Sequence, residues 1–164
     1  MLIGGHETTT GLIGNGLLAL LRDPGALAEL RSNPDLLPTA IEEFLRIDSP
    51  IQQTARVALE PLTLNSIPIA KGQIVEYWIG AANRDPVRFP GPDRLDLRRN
   101  PNSHLAFSHG LHFCPGHALA RREAIAVFAK LLSRPGIALV PGASLTWSHS
   151  CVFRALRALP ITLS

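Results

Sequence analysis

Phe107-Ser108-His109-Gly110-Leu111-His112-Phe113-Cys114-Pro115-Gly116-His117, running on into Ala118-Leu119-Ala120-Arg121, reads as a short loop carrying a single cysteine and then a helix start. Pro115 suits the first helical position, because its φ is preset and it has no N–H to leave unpaired. Beyond it Leu119, Ala120, Ala124, Ile125, Phe128, Leu131 and Leu132 recur at helical spacing, with Arg121, Arg122, Glu123 and Lys130 on the other side. Cys114 is therefore expected at a helix N-terminus, where free N–H groups and the positive end of the dipole favour an anionic sulfur. Such a sulfur is a good ligand for a soft or borderline metal.

The pattern Phe107-x-x-Gly110-x-His112-x-Cys114-x-Gly116 resembles the heme-binding signature of the cytochrome P450 family in its soluble, bacterial-type form. The resemblance implies heme b as cofactor, with its iron held by the axial thiolate of Cys114, which promotes O–O cleavage. It further implies that Phe107 packs beside the sulfur, that His112 reaches a heme propionate and that Gly116 belongs to the same cofactor-binding loop. The implied fold is mainly α with small β-sheets (α+β), the C-terminal part of the P450 fold from distal heme helix through cysteine loop to proximal helix.

Working toward the N-terminus, Leu2 to Leu21 reads as an amphipathic or buried helix ended by Arg22-Asp23-Pro24-Gly25. Gly4-Gly5 within it is costly for a helix interior and predicts close approach or local unwinding. The segment Gly4-Gly5-His6-Glu7-Thr8-Thr9 resembles the family's distal-helix motif, in which Glu7 and Thr8 form the catalytic acid–alcohol pair that delivers protons to the oxygen side of the heme. The plain alternative is that the threonine hydroxyls bond back to the preceding turn. Further helices are expected around Gly25 to Arg31 and from Leu36 through Arg46. In the latter Glu43 and Arg46 are neighbours on one face, and the resemblance makes them a buried pair rather than a surface one.

Thr54 to Leu59, Leu62 to Leu64, Ile67 to Ile69 and Gln73 to Ile79 read as short strands, the middle two as a hairpin turning at Asn65-Ser66. The resemblance assigns Arg56 to a heme propionate and places Ile51 to Ala55 beside the substrate pocket. Asn83 and Asp85 are expected as caps of a short helix, and Phe89 to Asn100 as an irregular connection. Within that connection Arg94 is expected, by resemblance, to join the Glu43–Arg46 pair, with Leu95 where phenylalanine is usual. Terminal strands are expected at Ile137 to Val140 and Leu159 to Leu163, and Cys151 as an apolar filler or pocket-edge residue.

The chain has 164 residues, 46% of them hydrophobic and 18% charged, as a globular protein with a real core requires. A net charge of +3 without basic blocks and interleaved aromatics argues against nucleic acid as a partner. No apolar run reaches membrane-spanning length, which argues against a membrane role. Two distant cysteines without a paired framework make a reducing cytoplasm the expected compartment.

The expected function is thus a heme-thiolate monooxygenase that inserts one oxygen atom from O2 into a small organic substrate, with electrons from a ferredoxin-type donor. Because family chains are more than twice as long, residues 1–164 are expected to be a partial P450 domain whose N-terminal portion is absent, and to turn over poorly alone. Two rivals stand beside this reading. One is a non-catalytic heme-binding remnant; the other is a zinc-stabilised interaction module built on His109, His112, Cys114 and His117. Two local departures also matter. Ser108 replaces the usual glycine, so the loop is expected to adapt around a residue that resists positive φ or to lean on the serine hydroxyl. Pro115 removes an N–H from beside the sulfur.

Overall fold

Apolar residues one or two turns apart decide the frame: Leu12 and Leu20 on one helix, Ile41, Phe44 and Leu45 on a second, Ala124 and Phe128 on a third, all buried together. The computed structural model describes residues 2–163. Its long helices are α1 (Leu2–Arg22), α2 (Pro24–Ser32), α3 (Leu37–Ile47) and α5 (His117–Leu132), with a single-turn α4 (Ile79–Ala82) between the last two. Helix α2, expected around Gly25 to Arg31, starts at Pro24, with the Asp23 carboxylate accepting from the Ala26 N–H at 2.9 Å.

Helices α1, α3 and α5 meet where α1 lacks a side chain. A Cβ on Gly16 would lie 2.8 Å from Cδ2 of Phe44 and 3.1 Å from Cζ of Phe128. The two rings themselves sit 5.0 Å apart, tilted by 37°. The residue just before Gly16, buried Asn15, donates to the carbonyls of Asp48 (3.1 Å) and Arg154 (2.8 Å). That one amide ties α1 to the end of α3 and to the C-terminal segment.

The strands form four two-stranded antiparallel pairs. β1 (Gln53–Val57) pairs with β4 (Ile74–Trp78), and β2 (Leu62–Leu64) with β3 (Ile67–Ile69). β5 (Ile137–Leu139) pairs with β8 (Ile161–Leu163), and β6 (Thr146–Trp147) with β7 (Leu156–Ala158). The predicted hairpin turn is present: Asn65 and Ser66 have φ of 46° and 67°, the geometry of a two-residue turn that matches strand twist. The β6–β7 pair was not foreseen from the sequence.

Several expectations are corrected. Helix α5 begins at His117, not Pro115, because Pro115 and Gly116 form a turn closed by the His117 N–H on the Cys114 carbonyl at 3.3 Å. Cys114 therefore lies in the turn that leads into the helix rather than on its first residue. Leu119, expected on the buried face of that helix, is 61% exposed. The turn at Gly4-Gly5 is not unwound; α1 runs through it without interruption. Cys151 is exposed, not a packed filler.

The arginine that joins the Glu43–Arg46 pair is Arg99, not Arg94. Arg94 offers only its carbonyl to Arg46, and its own side chain, 75% exposed, pairs with Asp96. Arg99 instead donates from Nε to Glu43 at 3.1 Å. The irregular connection meets Glu43 at the Asp96 N–H and again at the Arg99 side chain.

Ser108 is a further difference. It has φ of +65°, so the loop has not adapted: a residue with a Cβ occupies left-handed space that glycine would enter freely.

Candidate functional site

Segments far apart in sequence line one cavity of about 400 Å³. Thr8 comes from α1, Arg56 from β1, and Phe107, His112, Cys114 and Gly116 from the loop before α5. Six of the seven residues singled out from the sequence thus face one space. Its remaining lining is largely apolar, with Leu12, Leu45, Ile51 and Leu119 among it. A second cavity of about 330 Å³ shares Arg56 and His112 and adds His109 and Tyr77.

The cysteine loop is closed by its own backbone. The Cys114 N–H donates to the Phe107 carbonyl at 2.9 Å, and the Phe113 N–H to the Gly110 carbonyl at 3.0 Å. Two positive φ angles, at Ser108 and Gly110, turn the chain tightly enough for this. Cys114 is half-buried and in no disulfide.

Behind the loop lies a charged layer that sequence reasoning passed over. Arg121 on α5 grips Glu42 on α3 with both ends of its fork, Nε to Oε1 at 2.6 Å and Nη2 to Oε2 at 2.7 Å. Its guanidinium carbon lies 4.5 Å from the centre of the Phe107 ring. His104 adds Nε2 to Glu42 at 3.0 Å, while its Nδ1 receives the Ala106 N–H at 3.2 Å. Since that N–H can only donate, the ring proton of His104 sits on Nε2 and points at Glu42. By the same logic, His117 accepts at Nδ1 from Arg121 at 2.7 Å. Burial opposes the charge of Glu42, but hydrogen bonds from Arg121 and His104 outweigh it and hold the carboxyl at about 2. Arg121 is raised in turn, first by that hydrogen bond and then by the charges of Glu42 and Cys114.

One residue along α3, Glu43 and Arg46 form a pair that is 0% exposed on both sides, joined by two contacts of 2.8 Å. Every remaining polar valence is used. Arg46 donates to the carbonyls of Asn83 (2.9 Å), Pro92 (2.7 Å) and Arg94 (3.3 Å). Glu43 accepts from the Asp96 N–H, Arg99 and Asn102. Asn83, expected only as a cap, is a buried hub: it donates to Ser49 Oγ at 2.9 Å and accepts the Leu105 N–H at 2.7 Å. These bonds hold the chain that delivers residues 104–107 to the cavity.

The α1 side is different. The Thr8 hydroxyl donates to the Gly4 carbonyl at 2.7 Å, the plain helical back-bond, while still lining the cavity. Glu7 is exposed, outside the cavity lining and without a hydrogen bond among the described residues. Adjacent helical positions point about 100° apart, so the two do not face one another. Ile51 and Thr54 line the cavity as expected, and the segment just before β1 is tied to the C-terminal part of the chain, where the Val152 carbonyl receives the Gln52 N–H at 2.8 Å.

The donor set fits a heme better than a bare metal ion. Among the described residues no three His, Cys, Asp or Glu side chains form a metal-binding group. His109, His112, Cys114 and His117 therefore do not assemble the tetrahedral set that zinc needs. A lone sulfur facing an apolar space suits an iron whose other ligands come with it. Arg56 bonds to Thr54 Oγ1 and the Ala55 carbonyl through Nη1 only, leaving Nε and Nη2 for a carboxylate. Arg99, Asn102, Glu42 and Arg121 had weak sequence signals at best. Glu42 stands beside Glu43, and Arg121 lies seven residues after Cys114 on the helix it precedes.

Comparison with known proteins agrees with this geometry. The family model described as Cytochrome P450 matches residues 1–143. The chain is 48% identical over 163 residues to the biotin biosynthesis cytochrome P450 of Bacillus subtilis, covering 98% of this chain and 40% of that protein. It is 43% identical to the vitamin D(3) 25-hydroxylase of Pseudonocardia autotrophica, covering 99% of this chain and 41% of that one. Among solved structures, P450BioI in complex with a hexadec-9Z-enoic acid-ligated acyl carrier protein superposes with a TM-score of 0.94 at 47% identity, over 99% of this chain and 42% of that one. CYP109E1 from Bacillus megaterium, in complex with testosterone, gives 0.96 at 39% identity, over 99% of this chain and 45% of that one. The chain thus spans about 40% of the length of the curated relatives it matches.

Proposed function

The chain belongs to the cytochrome P450 family, and from that premise we propose that it supplies the cysteine side of a heme-thiolate monooxygenase acting on a small organic substrate. The observation that carries the reading is the meeting of Cys114, Arg56, His112 and Thr8 around one largely apolar cavity. In this reading residues 1–164 are the part of a P450 domain that holds the cofactor by its sulfur. A ferredoxin-type protein is the proposed electron donor. No helix among the described residues is long and apolar enough to cross a membrane.

When bound, the heme supplies the redox-active iron at which O2 is reduced by two electrons and one of its oxygen atoms is passed to substrate. The residues of this chain bind, orient and move protons around it. Cys114 would hold the iron through Sγ, with its loop braced by the bond from its own N–H to the Phe107 carbonyl. Arg56, through its free Nε and Nη2, and His112 would pair with the propionates. Phe107, buried in the same cavity wall, would limit water at the sulfur. Thr8 is the proposed proton carrier. Its hydroxyl now donates to Gly4, so passing a proton into the cavity requires the O–H to rotate away from that carbonyl and to be resupplied by a water or acid. Glu7, exposed on the same helix, would supply protons from the solvent side.

Relatives of nearly equal identity carry names as different as biotin biosynthesis and vitamin D(3) hydroxylation. The residues shared with them therefore serve the common chemistry rather than a particular substrate. The test is spectroscopic. Load the chain with heme, reduce it and add carbon monoxide; a strongly red-shifted Soret band that disappears in Cys114→Ala supports the reading. A chain that takes up no heme, or one whose spectrum is unaffected by Cys114→Ala, overturns it.

A further inference from the structure

Glu42 is the one carboxylate that touches both supports of Phe107. On one side it fixes Arg121, whose guanidinium covers the Phe107 ring at 4.5 Å. On the other it accepts from His104, which holds the Ala106 N–H immediately before Phe107 and whose ring lies 6.0 Å from that phenylalanine. Phe107 in turn supplies the carbonyl that receives the Cys114 N–H. The links form a closed circuit from α3 through α5 and residues 104–107 to the cysteine. Among the described residues no other side chain is hydrogen-bonded to both Arg121 and His104.

The circuit also balances charge. Arg121 is a fixed cation stacked at 4.5 Å on the ring of Phe107, the residue whose carbonyl receives the Cys114 N–H. Glu42, ionised and bidentate, cancels most of that cation at the same place. Without Glu42 the sulfur would stand near an uncompensated positive charge.

We infer that Glu42 is a positioning and charge-setting residue for the Cys114 ligand, acting through Arg121 and His104 rather than by touching the cofactor. This rests on the heme-thiolate reading above. An uncompensated cation near the sulfur favours the state that holds one more electron, so loss of the Glu42 charge raises the iron's reduction potential.

The experiment measures that potential by spectroelectrochemical titration of the heme-loaded chain. Glu42→Gln keeps the size of the side chain and removes its charge, and is expected to shift the midpoint positive while the reduced carbon monoxide complex keeps its thiolate band. Arg121→Gln, which leaves Glu42 uncompensated instead, is expected to shift it negative. The double variant Glu42→Gln/Arg121→Gln restores charge balance and is expected to return the midpoint toward the parent value, although its melting temperature stays low. A merely structural role predicts no such return. Opposite signs for the two single variants support the inference even should the double variant fail to load heme. Unshifted midpoints, or shifts of one sign in both single variants, overturn the inference alone, and so does loss of heme uptake in both. A parent chain without the thiolate band overturns the underlying reading and this inference with it.

Discussion

On the cysteine side of the cavity, Glu42, Glu43, Arg46, Arg99, Arg121 and His104 bond across three segments that are distant in sequence. On the α1 side, Gly4 to Glu7 are exposed, and the Thr8 hydroxyl reaches only four residues back. A Cβ added to Gly4 or Gly5 would meet nothing within 4 Å. The first wall is a tertiary object in which these charged groups are held by partners from distant segments as well as by one another. The second is a stretch of helix whose geometry is its own. A metal ligand must be held to a fraction of an ångström, and the network achieves that. A proton carrier must turn, and a locally bonded hydroxyl can.

The sharpest way to break this contrast is Arg46→Ala. It strips a buried carboxylate of its main partner and three carbonyls of their donor, and is expected to cost about 3–5 kcal/mol, read as the loss or collapse of the urea transition. An intact transition would show that the cysteine wall does not depend on its network.

Acid provides a gentler probe. Glu42 has its folded pKa held at about 2 against an ordinary 4.5, so its contribution is complete above 4.5 and lost as pH falls through about 2. For a partly exposed pair this contribution is about 1 kcal/mol. Asp48, two turns along, acts in the opposite direction. Burial raises its pKa despite the Arg154 contact, so protonating it favours the folded chain. Comparing denaturation midpoints across this range for the parent and Glu42→Gln is expected to show a shallower acid limb in the variant. Identical limbs would remove Glu42 from the account.

Ser108→Gly sharpens the comparison from the other direction. Relief of a left-handed serine, less the chain entropy that glycine adds, is expected to stabilise the fold by about 0.5–1 kcal/mol, seen as a higher melting temperature. A lower one would mean that the serine hydroxyl contributes something its φ conceals. Smallest of all, Thr8→Val removes only a helical back-bond and is expected to change stability by less than about 0.5 kcal/mol. A larger loss would show that the α1 wall, too, is held from outside.

Much of this architecture was legible from local pattern. The α1 and α3 helices, the break at Arg22-Asp23-Pro24-Gly25, the Asn65-Ser66 turn and the terminal strands lie close to where the residues place them. The errors cluster where the chain is irregular or where a partner is far away. Arg94 and Arg99 are five residues apart, and nothing in spacing says which one a winding segment turns inward. Two residues of turn at Pro115-Gly116 delay α5, since a proline permits a helix start without compelling one. Nothing in the local spacing singles out Glu42, because its partner Arg121 lies 79 residues away.

From its sequence alone this protein carries a cysteine loop before a helix, an α1 strip with glycines and threonines, and the order in which they occur. Those follow from backbone preferences and side-chain periodicity, which act within a turn or two of chain. Only the folded arrangement decided that Thr8 faces the cavity and Glu7 the solvent, that Arg99 completes the buried pair, and that Glu42 stands behind the sulfur. Such choices depend on how α1, α3 and α5 dock, with Gly16 admitting Phe44 and Phe128, and docking is settled by contacts that no local stretch contains.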